Sequence, residues 1–212
     1  HTSAMTGSER TWDSLLKQAG AIQVHSVEEI VDVALLFTYM SPPNGKNTVL
    51  MGMGGGVSVQ AADACSEAGL TLPILPAEIR QQLEDIFGSE AGHSFKNPVD
   101  ILSRGTGDPI QKAIKVVTNY DQIDLLFIHM PFDTYGPPDG SWAIIPAIES
   151  IISMGEEINK HTAIILHFAA LAKSKQVASE VQIALSKAGF SVYPSVSRAV
   201  NAASKFIQNH QQ

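Results

Sequence analysis

Hydrophobic and polar positions follow two alternating patterns from about residue 41 to the C-terminus. Short apolar runs at 48–51, 72–75, 125–130, 163–168 and 190–193 predict five strands, because runs that are apolar on both faces are typical of a covered parallel sheet. Amphipathic stretches between and after them predict helices at 58–68, 77–86, 108–120, 144–159, 173–188 and 197–209. The alternation indicates an α/β fold with a doubly wound, parallel five-stranded sheet.

The first 40 residues carry helical patterns without a sheet of their own. A helix over 9–18 ends before Gly20, and Ser26 with Glu29 forms a capping box at the start of a second helix that runs to about residue 39. The Pro- and Gly-containing stretch 41–45 then breaks the pattern. We therefore expect a boundary here, with residues 1–40 and 41–212 as separate units.

An internal repeat relates these two units. Residues 19–27 and the apolar helix pattern after them match residues 188–196 and the pattern that follows, and Gly20 corresponds to Gly189 at a constant offset of 169 positions. Both copies show a helix end, a glycine, a short strand and a Ser-capped helix. Because the second copy closes an α/β domain, we expect residues 1–40 to be the tail of a preceding similar domain in a larger protein. The apolar face of its helix (Ile30, Val31, Ala34, Leu35) must then pack on the second domain or on another chain.

Composition narrows the possible partners. The 212 residues are 44% hydrophobic and 17% charged, which is ordinary for a globular protein, and the net charge of −7 argues against nucleic acid or anionic membrane as the main partner. The single Cys65 excludes an internal disulfide and fits a reducing compartment. No apolar run reaches the roughly 18 residues of a membrane span, and no signal peptide is visible. These features predict a cytoplasmic protein.

The first candidate site is a glycine run after the first predicted strand, where parallel sheets bind ligands. Gly54, Gly55 and Gly56 lead into a helix, so their N–H groups could bind an anion, or the run could be a tight turn that lets the helix pack closely. Both alternatives stay open. NAD is not expected, since Val57 or Val59 stands where the dinucleotide fingerprint needs its third glycine.

Three further candidates lie near predicted strand ends. In the segment 96–100, Asn97 and Asp100 can cap turns, face a neighbouring domain, or simply pack the loop. His129 with Asp133 follows the third strand in the chain, and His167 lies near the end of the fourth. Because neither the spacing nor a third clear ligand supports a metal, we expect hydrogen-bonded core histidines and no metal site.

The N-terminus resembles a known family. The segment 1–8, followed by a helix and then by residues 18–22, is similar to the phosphohistidine segment of the nucleoside-diphosphate-forming acyl-CoA synthetases, relatives of succinyl-CoA synthetase. The resemblance continues at 54–57, 61–63 and 97–100, in order and over nearly the whole chain. Departures are Ser3 where the family has Gly, residues 5–6 where it has Leu-Ala, and residues 51–53 where it has Thr-Asn-Ala.

This resemblance implies a CoA-binding Rossmann domain, two flavodoxin-like domains and an ATP-grasp portion, with the present chain spanning the end of the first flavodoxin-like domain and all of the second. It implies that His1 is transiently phosphorylated, that Gly54–Gly56 form an anion-binding or interface turn, and that Asn97 and Asp100 shape the neighbouring loop. CoA, ADP or ATP, and Mg²⁺ are expected for the full enzyme, and no cofactor within this fragment. The fragment alone is expected to be inactive, and an oligomer is implied.

Two other classes of function stay open. The chain could be the synthetase-like scaffold region of a protein acetyltransferase, in which the histidine would be dispensable, so the presence of His1 favours the ligase. It could also be a flavodoxin-like binding module, for instance for FMN, although no clear aromatic sandwich loop favours a flavin. The sequence does not identify the acyl group of the substrate or whether ADP or GDP is used. It also does not say whether the ATP-grasp part is on the same chain.

Overall fold

The computed structural model describes residues 9–88, 92–101, 108–131, 144–155, 158, 161–167 and 172–210. Its centre is a five-stranded sheet in which every paired strand is parallel, with the order β2-β1-β3-β4-β5. The strands are β1 (Thr48–Gly52), β2 (Val99–Asp100), β3 (Leu125–Pro131), β4 (His161–His167) and β5 (Ser191–Tyr193). This order confirms the predicted doubly wound, flavodoxin-like sheet.

Eight helices are present among these residues, and they fall close to the predicted stretches. They are α1 (Glu9–Gln18), α2 (Val27–Tyr39), α3 (Gly55–Glu67), α4 (Ala77–Phe87), α5 (Asp108–Thr118), α6 (Ile145–Ser153), α7 (Ala172–Lys187) and α8 (Val196–His210). The largest difference is at α6, which ends at Ser153 instead of residue 159, because a turn follows at Met154 and Gly155. None of the helices in the described part of the chain is long and apolar enough to cross a membrane.

The predicted second strand at 72–75 is wrong. Thr71 forms only an isolated bridge with Asn47, and the chain then leaves the sheet. Pro73 has no N–H to donate to a strand partner, which works against a ladder at this point. The position beside β1 is occupied by β2, with Val99 opposite Met51. The run is apolar because Leu75 lies in a loop and is buried in the core, whereas Ile74 in the same loop is exposed.

The sheet separates two apolar cores, which explains why its strands are apolar on both faces. On β3, Leu126 and Ile128 point into a core shared with α4, α5, α6 and α7. Leu125 and Phe127 point into a core shared with α2, α3 and α8. Both faces of the sheet are therefore covered by helices.

Helix α2 packs on the second of these cores. Val33 and Leu36 are buried there, and Asp32 forms a bidentate ion pair with Arg198 of α8, with both N–O distances at 2.7 Å. The short strand predicted at about residues 21–24 is not formed, since these residues have no neighbouring strand in the described structure. Residues 27–39 are thus held against the unit that follows them.

Candidate functional site

The candidate site lies at the edge of the sheet where the strands end. β1 and β3 are neighbours in the sheet, but the helices that follow them lie on opposite faces. α3, which follows β1, packs on one face, and α6, the first described helix after β3, packs on the opposite face. In sheets of this type a crevice opens at the point where the connections diverge, and ligands bind there. The ends of four strands bring together the glycine loop, Asp100, His129 and His167.

The glycine loop turns the chain from β1 into α3. Gly54 has a φ of 103°, in the left-handed region that glycine tolerates, and its carbonyl accepts the N–H groups of Val57 and Ser58 at 3.0 Å. Gly52 is required for a different reason. A Cβ at Gly52 would contact the carbonyl oxygen of His129 and lie 2.6 Å from Cδ2 of its ring, so no side chain fits there.

Asp100 lies at the N-terminus of α3. Its Oδ1 accepts a hydrogen bond from Gly54 N at 2.9 Å, and its Oδ2 would be 3.0 Å from a Cβ at Gly55. A carboxylate at this position is favourable because the helix dipole places partial positive charge there. The structure therefore brings two of the predicted motifs, the glycine loop and Asp100, into direct contact.

Asn97 contacts the other end of β1. Its Oδ1 accepts from Leu50 N at 3.1 Å, and its Nδ2 donates to the carbonyl groups of Thr48 and Pro73, both at 2.9 Å. The amide thus takes the place of a strand partner along the first half of β1. Asn97 holds the edge of the sheet and the 72–75 loop together, and its role towards an anion stays a prediction.

His129 is fully buried beneath α3. Its Nε2 lies 3.2 Å from Ser58 Oγ, and burial together with the nearby His167 lowers the pKa of His129 to about 4, so the ring is neutral near pH 7. Burial also lowers the pKa of His167. The two rings are nearly perpendicular, at 85°, with their centroids 5.8 Å apart. The prediction that His129 is a hydrogen-bonded core residue is confirmed by its bond to Ser58.

Ser58 and Gly52 are the residues that sequence reasoning missed. A signal for Ser58 existed, because it shares a helical face with Ala61 and Cys65, which are buried in the core. Other predicted residues, His1 and Asp133, lie outside the described part of the chain. Within that part, no group of three or more His, Cys, Asp or Glu side chains could hold a metal ion.

Comparison with known proteins gives matches of three kinds. Residues 1–37 match the family described as succinyl-CoA ligase like flavodoxin domain. A 4-hydroxybutyrate–CoA ligase (ADP-forming) of Nitrosopumilus maritimus is 35% identical over 160 residues, which is 76% of this chain and 22% of that protein. An acetate–CoA ligase (ADP-forming) I of Archaeoglobus fulgidus is 28% identical over 152 residues, which is 72% of this chain and 21% of that protein.

A solved structure, the dinucleotide forming acetyl-coenzyme A synthetase 1 of Ca. Korarchaeum cryptofilum, shares the fold. Its TM-score is 0.80 at 22% identity, over 99% of this chain and 43% of that one. The chain thus matches a little over a fifth of the length of these two curated relatives.

Proposed function

This chain is related to one part of the ADP-forming acid–CoA ligases, and we propose that it works within such an enzyme. The reaction would interconvert acyl-CoA, ADP and phosphate with carboxylate, ATP and CoA. The observation that carries the proposal is the similarity to two such ligases over about three quarters of the chain. The match of residues 1–37 to a succinyl-CoA ligase like domain supports it, because that segment contains His1.

The proposed role of His1 is to carry a phosphoryl group. Acyl-CoA and phosphate would first give an acyl phosphate and release CoA. A neutral imidazole nitrogen of His1 would then form a bond to phosphorus while the bond to the carboxylate oxygen breaks. In the second transfer, the terminal phosphate oxygen of ADP would attack the same phosphorus and release the imidazole.

The N-terminus of α3 is the proposed place where the phosphoryl oxygens are held. The first N–H groups of a helix have no partner inside the helix, and Gly55 and Gly56 are exposed and carry no side chain of their own. Asp100 bonds to Gly54 at this position. We expect an arriving phosphoryl group to compete with the Asp100 carboxylate for the N–H groups of the loop, so Asp100 would control anion binding there.

Residues 1–40 are proposed to be the tail of a preceding flavodoxin-like unit. By the internal repeat, Ile30 and Phe37 of α2 correspond to Ala199 and Phe206 of α8. The two α8 residues are 0% and 1% exposed in a core that contains strand residues of the sheet. Ile30 and Phe37 are 54% and 53% exposed, although the Phe37 ring also contacts Phe206 edge-on. The open side of α2 is therefore the side that faces a sheet in the second copy, which supports a preceding unit with a sheet of its own.

Cofactors and partners follow from the same proposal. CoA, nucleotide and Mg²⁺ would bind to CoA-binding and ATP-grasp portions outside these 212 residues, in the same or another chain. The protein would act in the cytoplasm as an oligomer. Without those portions, we expect these 212 residues to have no complete turnover.

The test is phosphorylation of the full-length protein, together with its ATP-grasp partner if that is a separate chain. After incubation with γ-labelled ATP and Mg²⁺, we expect acid-labile, base-stable label that is lost in His1→Asn and kept in the matched control His25→Asn, since His25 is exposed. Label that survives His1→Asn, or no label at all, would overturn the ligase proposal. The second of these results would favour the synthetase-like scaffold of a protein acetyltransferase.

A further inference from the structure

The packing of α2 on α8 joins equivalent positions of the internal repeat. With the offset of 169 positions, residues 29, 32 and 33 of α2 correspond to residues 198, 201 and 202 of α8. One cavity between the two helices is lined by all six of these side chains, which are Glu29, Asp32, Val33, Arg198, Asn201 and Ala202. Each helix therefore presents the same face to the other.

Further contacts have the same reciprocal form. The rings of Phe37 and Phe206, which are counterparts in the repeat, meet edge-on with their centroids 4.6 Å apart. Tyr193 of β5 donates its hydroxyl to the carbonyl oxygen of Asp32 at 2.9 Å. In return, the carbonyl oxygen of Gln23, in the segment that corresponds to β5, accepts a hydrogen bond from an α8 lysine at 3.0 Å. A residue that contacts its own counterpart, and contacts that occur in exchanged pairs, are what a two-fold axis produces.

The charges at this interface are opposite on the two helices. α2 carries Glu28, Glu29 and Asp32 and no Lys or Arg, whereas α8 carries Arg198 and Lys205 and no Asp or Glu. Asp32 pairs with Arg198 at 2.7 Å, and Glu29 pairs with Lys205 at 2.9 Å. The two-fold relation is thus one of position and not of charge.

The same geometry would repel two like copies. If two α8 helices met in this way, Arg198 of one would face Lys205 of the other, because Arg198 is the counterpart of Glu29. If two α2 helices met, Asp32 of one would face Glu29 of the other for the same reason. Like charges that face each other across an interface disfavour the wrong partner.

The face of α8 that meets α2 consists of Arg198, Asn201, Ala202 and Lys205. We propose that this α8 face is the docking surface for the last helix of the preceding flavodoxin-like unit, and that the two units pack about a local two-fold axis between α2 and α8. Opposite charges at equivalent positions select this pairing over a pairing of like units. The docking rests on the proposal that residues 1–40 end such a unit, and it specifies the surface by which the two units recognise each other.

The experiment exchanges residues between counterpart positions and measures amide hydrogen exchange over α2 in the 212-residue chain. Glu29→Arg with Asp32→Asn gives α2 the residues of α8. Arg198→Glu with Asn201→Asp gives α8 the residues of α2. Each of these half variants breaks the ion pair of Asp32 and places like charges together, so exchange over α2 should become at least about tenfold faster. The matched control Glu180→Arg changes an exposed residue of α7, on the opposite face of the sheet, and should leave α2 unchanged.

All four substitutions together test the two-fold relation. The ion pair lost between positions 32 and 198 can then re-form between positions 29 and 201, because the axis exchanges these two pairs of positions. Exchange over α2 should return to within about threefold of the original chain, since residues in contact are coupled. A fourfold variant as poorly protected as the half variants, or half variants that leave α2 unchanged, would overturn the proposal.

A milder pair of variants guards against misfolding. Lys205→Glu places a negative charge opposite Glu29, and both of these side chains are part-exposed, so the fold should tolerate it. Exchange over α2 should become faster in Lys205→Glu and recover when Glu29→Lys is added, while β3 and β4 stay protected. Exchange over α2 that is unchanged in Lys205→Glu would overturn the selection by charge.

The full-length protein separates this docking from the ligase reaction. There α2 should be better protected than in the 212-residue chain, because the sheet of the preceding unit would cover its open side. Equal protection in the two proteins would overturn the docking, as would a dimer of the 212-residue chain that Arg198→Glu with Asn201→Asp abolishes, since α8 would then bind a second copy. Neither measurement depends on phosphorylation, so absence of label on His1 would refute the ligase proposal alone.

Discussion

The ion pair between Asp32 of α2 and Arg198 of α8, called the clamp below, can be tested by substituting Asp32. Its two carboxylate oxygens accept hydrogen bonds from Nε and Nη2 of Arg198, both at 2.7 Å, and its backbone carbonyl accepts a third from the Tyr193 hydroxyl at 2.9 Å. Asp32→Asn keeps the size of the side chain and the backbone bond. It removes the negative charge and one of the two acceptor oxygens facing the guanidinium.

The loss of folding free energy in Asp32→Asn depends on how well water replaces the lost ion pair. Hydrogen bonds to charged groups contribute about 1.5–3 kcal/mol, and breaking a fully buried ion pair costs about 3–5 kcal/mol. The Asp32 side chain is 6% exposed, but that of Arg198 is 39% exposed, so solvent screens part of the interaction. We therefore expect Asp32→Asn to lower the free energy of unfolding by about 2 kcal/mol.

Urea unfolding at pH 7 measures this loss, and amide hydrogen exchange locates it. Exchange should increase over α2 and change little in β3 and β4, because the clamp joins α2 to α8 and not to the centre of the sheet. The matched control is Glu29→Gln. Glu29 is on the same helix and pairs with Lys205 at 2.9 Å, but both side chains are part-exposed, and such pairs contribute only about 0–1 kcal/mol.

A loss below about 0.5 kcal/mol for Asp32→Asn, or equal losses for the two variants, would refute the argument that burial of Asp32 makes its ion pair strong. Faster amide exchange across the whole chain would refute the claim that this ion pair stabilises mainly the packing of α2.

Three more outcomes follow from the structure. Gly52→Ala should lower the free energy of unfolding, measured in urea, by more than about 2 kcal/mol, because the new Cβ overlaps the backbone carbonyl of His129. Gly56→Ala, with nothing within 4 Å of the new Cβ, should be neutral or stabilising by up to about 1 kcal/mol. Equal effects of the two variants would contradict the packing at the end of β1. Asn97→Ala should cost about 3 kcal/mol through three lost hydrogen bonds, and a loss under 1 kcal/mol would show that water replaces them. The hydrogen bond to Lys205 lowers the pKa of Glu29 below 4.5, so ionised Glu29 stabilises the fold above pH 4.5 and this stabilisation is lost as the pH falls through the lowered pKa. Glu29→Gln should therefore flatten this part of the curve of stability against pH. An unchanged curve would refute the assignment.

The sequence was sufficient for the elements whose patterns are local. β3 and β4 each contain four consecutive apolar residues, Leu125–Ile128 and Ala163–Leu166, so their burial between two helix layers could be predicted. β2 could not, because two residues carry no periodicity and because a side chain, the amide of Asn97, serves as the neighbour of the first half of β1. The run at 72–75 misled for the opposite reason: it is locally apolar but lies in a loop, where Leu75 is buried and Ile74 is exposed.

The candidate site was predictable as separate motifs but not as a constellation. The glycine loop and Asp100 were identified 46 positions apart, yet their hydrogen bond requires β2 beside β1, which no local pattern indicates. Likewise, Ser58 and His129 meet across 71 positions. On α2 the buried residues are Asp32, Val33 and Leu36, so the buried side includes a charged residue that hydrophobic periodicity does not count. Ile30 and Val31 of the predicted apolar face are exposed.

The close contact between Gly52 and the His129 ring has a consequence for anyone who redesigns this domain. A library that varies position 52 alone will return glycine, because every other side chain meets a backbone carbonyl and an imidazole. Shrinking position 129 in the same clone frees only the imidazole part of that space. Positions 52 and 129 therefore have to be randomised jointly, with allowance for the strands to move apart, if a larger residue is to be introduced at the end of β1.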